Sequence, residues 1–234
     1  MKNINQSKKQ YVTKVFNEVF DKYDLMNDLM SFGAHRLWKS KLIDWMSPRQ
    51  NQHLIDVASG TGDVARAFLK ETNFSGKVSC VEPNKNMLKI GEKKLKNLVN
   101  IKWYCAQAEK LPFKDETFDI YVVSFGIRNF SNIRLALNES RRVLKTGGRF
   151  LCLEFSKVNN EILSEFYNKY SKMIPYIGKY IVGKSEPYEY LIKSIKDFYS
   201  QEELLNLIKS SGFKSVEFRD LSGGIAAIHS GWKI

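Results

Sequence analysis

The sequence predicts an α/β fold in which helices cover both faces of a mostly parallel sheet. Three observations support this prediction. Short apolar runs of strand length alternate with segments whose apolar residues recur at helical spacing. The alternation continues through five strands, which is typical of a doubly wound parallel sheet. The first strand ends in a glycine-rich turn that leads straight into a helix, as nucleotide sites in α/β proteins begin.

Each element follows from its local pattern. Five apolar runs are expected as parallel strands, and two later runs pair to close the sheet, which makes seven strands. The strands are predicted at 54–58, 77–82, 100–107, 118–125, 149–155, 214–221 and 224–229. Helices are predicted within 8–46, after Asp63, after Pro83, over 133–144 and over 201–211. The basic Lys145 and the glycines behind it are expected to end the helix over 133–144.

The composition fits one domain. A chain of 234 residues, 43% of them hydrophobic, can form one core, and neither a repeat nor a linker divides 1–234. Residues 1–50 are expected to form a helical lid, 51–157 the ligand-binding core, 158–196 an aromatic and basic insertion, and 197–234 a helix with two closing strands. The residues that join the two helices of 1–50 suit a lid over a flat apolar ligand, and equally suit plain helix packing.

Charge and cysteine content limit the location and the partners. The polar start does not resemble a signal peptide, and no apolar run approaches the ~20 residues of a spanning helix, so a cytoplasmic protein is expected. Cys80, Cys105 and Cys152 are expected as core residues in a reducing compartment, and no metal site is predicted. The net charge of +12 suits an anionic membrane surface or a nucleic acid, although scattered lysines also suit a plain solvated surface.

The turn after the first strand carries Gly60 and Gly62 between the acids Asp56 and Asp63. Glycine tolerates positive φ and lets a ligand approach the backbone. With Ala65 the turn also satisfies the relaxed dinucleotide pattern, but a pyrophosphate at this helix N-terminus would meet the like charge of Asp63. Two acids favour a cationic ligand. S-adenosylmethionine has a sulfonium, an ammonium and no phosphate, and the stretch resembles the first motif of class I methyltransferases. A loop without a ligand stays as the plain alternative.

The next two strands end in further candidates for this ligand. Glu82 follows the second strand about 20 residues after the turn, where Rossmann-like proteins place an acid against the ribose hydroxyls. A solvated strand-end glutamate is the alternative. In this fold Gln107 and the backbone of Ala108, after the third strand, would pass the adenine.

The fourth strand ends in polar residues at the edge where substrates bind in open α/β sheets. They are Ser124, Arg128 and Asn129, with Gly126 among them. We expect Arg128 to face the substrate. The alternative is that its guanidinium pairs with a surface acid.

The chain resembles the UbiE/COQ5 methyltransferases along nearly its whole length. The block at 23–38 and the segments SFGIRN at 124–129 and LEFSK at 153–157 are the most specific. The full set of motifs is YDLMNDLMSFGAHRLW (23–38), DVASGTGD (56–63), AEKLPF (108–113), SFGIRN, RVLKTGGRF (142–150), LEFSK, YxYLxxSI (188–195) and AAIHxG (226–231). The resemblance implies a Rossmann-like class I fold with a mostly parallel seven-stranded sheet.

The resemblance also implies an activity, the C-methylation of a polyprenyl quinol ring in ubiquinone or menaquinone biosynthesis. Carried over residue by residue, its S-adenosylmethionine contacts are Thr61, Glu82, Gln107, Ala108 and Ser124. Glu82 stands where aspartate is also common, and Gln107 where asparagine or aspartate is frequent. Whether the acceptor is a benzoquinol, a naphthoquinol or both stays open.

The candidate catalytic residues follow from what ring methylation needs. Deprotonating a phenolic oxygen raises the electron density on the neighbouring carbon, and that carbon later loses a proton. Arg128 stays protonated, so it is expected to stabilise a phenolate or orient a water, and Asn129 to bond a ring oxygen. Tyr23, Asp24 and His35 are expected to complete the pocket, with His35 or Asp24 as the proton acceptor.

The expected partners follow from the substrate. Its polyprenyl tail lies in a bilayer, so peripheral contact with an anionic membrane surface, on the inner face, is expected. A homodimer or a quinone-biosynthesis complex stays open, and no nucleic acid is expected. Alternative hypotheses are a methyltransferase acting on RNA or on another small molecule, and a non-catalytic S-adenosylmethionine-binding scaffold.

Overall fold

A computed structural model of the chain describes residues 28–31, 33–158, 161–182 and 185–234. In this part of the chain the strands form one seven-stranded sheet. The strands are β1 (His53–Val57), β2 (Lys77–Val81), β3 (Ile101–Tyr104), β4 (Phe118–Ser124), β5 (Leu144–Phe155), β6 (Lys214–Leu221) and β7 (Ala226–Trp232). The helices are α1 (His35–Met46), α2 (Asp63–Glu71), α3 (Lys85–Lys94), α4 (Ile133–Val143), α5 (Glu161–Val182), α6 (Glu186–Lys196) and α7 (Gln201–Ser210). A short 3₁₀ turn, Ile127–Asn129, follows β4.

The strand order is β3-β2-β1-β4-β5-β7-β6. Strands β1 to β5 pair in parallel, and β7 pairs antiparallel with both β5 and β6. Val57 at the end of β1 is in register with Val81 on one side and Val123 on the other, so the carboxyl ends of β1, β2 and β4 lie at one edge. The predicted α/β fold with a mostly parallel seven-stranded sheet is confirmed.

One predicted boundary differs because of main-chain pairing. Strand β5 begins at Leu144, directly after α4, whereas Lys145 and the glycines behind it were expected to end the helix. The N–H of Gly147 donates to the carbonyl of Lys233 (2.7 Å), and the N–H of Lys233 donates to the carbonyl of Gly148 (3.0 Å). Leu144 also pairs with Phe118 of β4. Because the segment pairs with β4 on one side and with Lys233, directly after β7, on the other, it extends the strand.

Apolar residues pack on both faces of the sheet, and their alternation decides which way the strand-end polar groups point. Ile55 and Val57 pack on the face covered by α4 and α7, whereas Leu54 packs on the face covered by α1, α2 and α6. Successive side chains of a strand point to opposite faces. Asp56 therefore points to the α1 face. The same alternation places Ser124, one residue after Val123, on that face.

Helix α1 is held at several points. Trp38 donates from Nε1 to Ser222 Oγ (3.0 Å), and its ring meets the Phe155 ring edge-on with centroids 5.9 Å apart. At the other end Arg149 Nη1 donates to the carbonyl of Trp45 (2.6 Å). These contacts fix α1 over the sheet and fix the side chains that it points towards the strand ends.

Two further observations concern the chain as a whole. Cys80 and Cys152 are buried as expected, but Cys105 is exposed, since it follows the short strand β3 and does not lie within a buried run. Over the described residues, no helix has both the length and the apolar character that a membrane crossing requires.

Candidate active site

The turn after β1 adopts left-handed backbone conformations that favour glycine. Gly60 and Gly62 have φ values of 57° and 83°, and the N–H of Gly62 closes the turn by donating to the carbonyl of Ser59 (2.9 Å). A Cβ on Gly62 would lie 2.6 Å from Leu95 Cδ1 and 3.0 Å from the Trp103 ring, so these side chains would have to move to admit a larger residue. Ala58, which has a Cβ, also has a positive φ of 53°. Such a conformation costs about 1–3 kcal/mol and is concentrated at functional sites.

The carboxylate of Glu82 holds this turn from the next strand. Its Oε2 accepts the N–H of Gly60 and its Oε1 accepts the N–H of Asn84, both at 2.9 Å. Burial raises the pKa of Glu82 to about 7, and these two N–H groups oppose the rise. Glu82, the residue predicted to bind the ribose hydroxyls, is therefore buried, and both of its carboxylate oxygens already accept backbone hydrogen bonds.

A cleft opens above the turn at the carboxyl ends of β1 and β4. The residues that line it are Lys39, Asp56, Ala58, Ser59, Gly60, Thr61, Asp63, Val64, Ser124 and Phe125. Asp56 Oδ2 and Ser124 Oγ are buried and have no hydrogen-bond partner among the described residues. Burial raises the pKa of Asp56 to about 8, and the charge of Lys39 opposes that rise.

The second acid of the motif, Asp63, is already neutralised. Its Oδ2 accepts from Lys39 Nζ (2.9 Å) and its Oδ1 from Lys94 Nζ (2.8 Å). Burial alone would raise the pKa of Asp63, but the two lysines hold it well below its ordinary value. The argument that both acids attract a cationic ligand is therefore wrong for Asp63. Asp56 is the acid whose oxygen remains available in the cleft.

The other predicted cofactor residues lie around this cleft to different extents. Thr61 lines it, and the Oγ1 of Thr61 accepts from Lys94 Nζ (3.3 Å). Gln107 and Ala108 do not line it. They form a tight turn after β3, closed by a hydrogen bond of 3.1 Å from the N–H of Lys110 to the carbonyl of Gln107. Ala108 is buried there and Gln107 is half-buried.

Arg128 lies inside the protein and forms an ion pair with Glu154. Its Nη1 donates to Glu154 Oε1 (2.6 Å) and to the carbonyl of Phe125 (2.7 Å), and its guanidinium carbon lies 5.6 Å from the centre of the Phe155 ring. The exposed fractions of the two charged side chains are 1% and 2%. The partner of Arg128 is thus a buried acid of β5, whereas the sequence analysis expected either the substrate or an acid on the surface.

Asn129 follows Arg128 in the 3₁₀ turn and is held by α6. Its Oδ1 accepts from the hydroxyl of Tyr190 (2.8 Å). This contact fixes the orientation of the amide at the end of β4 and leaves its NH₂ group as the side that can donate to a ligand.

His35 begins α1 and forms a pair with Asp28. The distance from His35 Nε2 to Asp28 Oδ1 is 2.9 Å, and Asp28 is also bonded by Arg36. Hydrogen bonding from Arg36 lowers the pKa of Asp28, and burial lowers that of His35. An ionised carboxylate can only accept, so Nε2 carries the proton and Nδ1 is a bare acceptor. That Nδ1 is buried without a partner among the described residues. The other two candidates, Tyr23 and Asp24, lie outside those residues.

Sequence reasoning missed four residues of this region: Asp28, Lys39, Glu154 and Tyr190. Two of them had a signal. Glu154 is a carboxylate inside an otherwise apolar strand, and a buried charge requires a partner. Lys39 lies one helical turn after His35, hence on the same face of α1. Asp28 and Tyr190 lie within the family-like motifs at 23–38 and 188–195, but no local pattern indicates their partners, which depend on how separate elements pack.

Wider clefts lie elsewhere among the described residues. One is lined in part by Asp115, Arg141 and Arg142, the other in part by Asp119 and Arg149. Both open near the amino ends of β4 and β5. Ligands of open α/β sheets bind at the opposite, carboxyl ends of the strands.

The fold is similar to those of solved methyltransferase-like structures. A methyltransferase from Thermotoga maritima, described as a possible histamine N-methyltransferase, superposes with a TM-score of 0.69 at 22% identity over 94% of this chain and 99% of that one. The [4+2]-cyclase SpnF superposes with a TM-score of 0.70 at 15% identity over 96% of both chains. Since their descriptions name different reactions, these likenesses show the fold alone.

Sequence comparison is more specific. The "Ubiquinone/menaquinone biosynthesis C-methyltransferase UbiE" of Rickettsia akari (strain Hartford) is 49% identical over 100% of this chain and 97% of that protein. The protein of the same name from Ruegeria sp. (strain TM1040) is 47% identical over 95% of this chain and 90% of that protein. The model of the ubiE/COQ5 methyltransferase family matches residues 4–233. This match covers the glycine turn, the strand ends and both helices of the insertion, and the chain belongs to the ubiE/COQ5 methyltransferase family.

Proposed function

We propose that this chain is an S-adenosylmethionine-dependent methyltransferase, one domain over its length, that methylates a ring carbon of a polyprenyl quinol in ubiquinone or menaquinone biosynthesis. The observation that carries the proposal is the family match over residues 4–233, which includes the cleft at the carboxyl ends of β1 and β4. Relatives 47–49% identical to the chain bear the name of that activity.

The residues of the cleft fit S-adenosylmethionine. Asp56 offers a buried oxygen that has no hydrogen-bond partner among the described residues, which suits an ammonium, and within the same part of the chain the Oγ of Ser124 has no partner either. Gly60 and Gly62 allow close approach to the backbone. We place Glu82, Gln107 and Ala108 at the nucleoside end. When bound, S-adenosylmethionine supplies an electrophilic methyl group on a positively charged sulfur.

The protein's part in the chemistry is to orient the quinol and to remove protons. A ring carbon forms the new bond to the methyl carbon, the sulfur keeps the electron pair of the broken bond, and the ring carbon loses its proton. Asn129, fixed by Tyr190, donates from its NH₂ group to a ring oxygen. Arg128 lies behind this turn, where Glu154 offsets its charge, and its Nη1 holds the end of β4 through the carbonyl of Phe125.

His35 is the proton acceptor in this proposal. Its ring is neutral at pH 7 because burial lowers its pKa, and the Asp28 contact places the free lone pair on Nδ1. A carboxylate that orients a histidine base is a recurring arrangement in general-base catalysis. The His35→Gln variant should lose turnover by about 100-fold or more while still binding S-adenosylhomocysteine. Wild-type turnover in this variant would remove His35 from the mechanism.

A direct test uses the purified chain and methyl-deuterated S-adenosylmethionine. The acceptors are a demethylmenaquinol, a 2-methoxy-6-polyprenyl-1,4-benzoquinol and an RNA transcript. The proposal predicts a deuterated methyl group on the ring of at least one quinol and none on the RNA, read by mass spectrometry. Methylated RNA with unmodified quinols would refute it.

The substrate's tail calls for contact with a membrane surface, which we place on the outer side of α5. Met173, Tyr176 and Tyr180 lie along this helix with 59%, 79% and 93% of their surface exposed. Tyrosines are favoured at the membrane interface, and the chain has a net charge of +12. Contact would be peripheral, on the inner face of the membrane.

Co-sedimentation with anionic liposomes tests this surface. Binding should weaken with added salt and in a variant with Tyr176→Ser and Tyr180→Ser. Phe74→Ser is the matched control, because Phe74 is also an exposed aromatic residue (52%) but lies after α2. Equal binding by the double variant and the wild type would contradict the placement.

A further inference from the structure

Lys39 brings a positive charge to the cofactor cleft from outside the glycine motif. It lies on α1 and donates from Nζ to Asp63 Oδ2 (2.9 Å). Among the described residues that line the cleft, it is the only one with a positively charged side chain. Its side chain is 18% exposed, so its charge is partly shielded from solvent.

The charges around Asp63 do not balance. Lys39 and Lys94 both pair with this one carboxylate, at 2.9 and 2.8 Å. One positive charge is therefore in excess. Asp56 does little to offset it, since burial raises its pKa to about 8 and most of it is protonated at pH 7. An anionic group of a ligand in the cleft would restore the balance.

The two lysines differ in where this excess can act. Lys94 Nζ also donates to Thr61 Oγ1 (3.3 Å), is more exposed than Lys39, and does not line the cleft. Lys39 is carried by α1, which Trp38 and Trp45 anchor to the sheet. An ammonium has three donors, so Lys39 can keep its bond to Asp63 and still donate to a ligand.

We propose that Lys39 binds the α-carboxylate of S-adenosylmethionine, and that Asp56 in the same cleft receives its α-ammonium. The inference rests on the proposed function in taking this cleft as the S-adenosylmethionine site. The amino-acid end of the ligand is a zwitterion. The cleft offers it one cation and one buried carboxyl oxygen without a protein partner among the described residues. The assignment explains why a lysine from α1 enters a site built on β1 and β4.

Calorimetry with two ligands tests the assignment. S-adenosylhomocysteine has the carboxylate, whereas S-adenosyl-3-thiopropylamine lacks only that group. Lys39→Met should weaken S-adenosylhomocysteine binding by about tenfold or more, the range of one charge-assisted hydrogen bond, and leave the amine within about twofold. Lys39→Arg should largely restore the affinity. Lys94→Met is the matched control, since it removes the other partner of Asp63 and should not distinguish the ligands.

Each other outcome overturns the proposal. Equal losses for both ligands in Lys39→Met would show that Lys39 only shapes the turn through Asp63, and no loss would show that it binds nothing. The same selectivity in Lys94→Met would move the carboxylate to Lys94. A wild type that binds neither compound also refutes it. A wild type that shows the Lys39-dependent selectivity but methylates no quinol would refute the proposed acceptor alone.

Discussion

The Glu154→Gln variant should be strongly destabilised, because it removes the charge that compensates a buried guanidinium. Glu154 Oε1 lies 2.6 Å from Arg128 Nη1 and also accepts the N–H of Phe155 at 2.9 Å. Both charged side chains are almost fully shielded from water. Glutamine has nearly the same shape, so the variant changes the charge and leaves the volume of the side chain nearly unchanged.

The magnitude follows from this burial. Removing one partner of a buried ion pair costs about 3–5 kcal/mol, because the other charge stays buried without compensation. A protein of this size loses about 2–4 °C in Tm for each kcal/mol. The Tm of Glu154→Gln should therefore fall by about 6–20 °C. Against a total stability of about 5–15 kcal/mol, this is a large fraction.

Scanning calorimetry measures the shift, and Glu189→Gln is the matched control because Glu189 is exposed on α6. The Arg128→Met, Glu154→Leu double variant should recover most of the loss, since an apolar pair often replaces a buried ion pair without cost. If that stable variant methylates quinol, the ion pair only stabilises the fold; if it does not, the pair is also needed to position the residues at the strand ends. A Tm for Glu154→Gln within about 2 °C of the wild type would refute the reasoning.

Three further predictions concern the site. The affinity for S-adenosylhomocysteine should rise from pH 6 to pH 8 in calorimetry, because Asp56 has a pKa of about 8 and must lose its proton to receive an ammonium; a flat profile, or an unchanged slope in Asp56→Asn, would contradict this. Gly62→Ala should lower the free energy of unfolding, measured in urea, by more than Gly147→Ala does. Both glycines have positive φ, so backbone strain costs each variant about 1–2 kcal/mol, but only the Cβ at 62 meets other side chains. Equal losses would exclude packing as the reason. Tyr190→Phe should lower quinol turnover more than S-adenosylhomocysteine affinity, because it frees the amide of Asn129; parallel losses would show a general effect on the fold.

The sheet could be predicted because its central strands are buried on both faces. Such strands read as continuous apolar runs, as at 54–58 and 118–125, and their order of appearance limits the topology. The glycine turn could be predicted because the requirement for positive φ is local. Strand boundaries could not be predicted where the pairing partners are remote in sequence, and the early start of β5 depends on Phe118 and Lys233.

The electrostatics of the site could not be predicted in the same way. Asp63 is a neighbour of the glycine turn in sequence, but its partners Lys39 and Lys94 are 24 and 31 residues away. Arg128 and Glu154 are 26 residues apart and meet only because β4 and β5 pair. Local sequence shows that a charge is present. Which charge lies opposite it is decided by the packing of helices and strands.

The position of β7 has a consequence for synthesis of the protein. β7 follows β6 in the chain but lies between β5 and β6 in the sheet. While the ribosome is still translating β7, the five parallel strands can assemble, but β6 has no neighbour to pair with and the edge of β5 is open. Unpaired strand edges of this kind favour aggregation. A nascent chain stalled before residue 226 should therefore depend on chaperones more than the finished protein does.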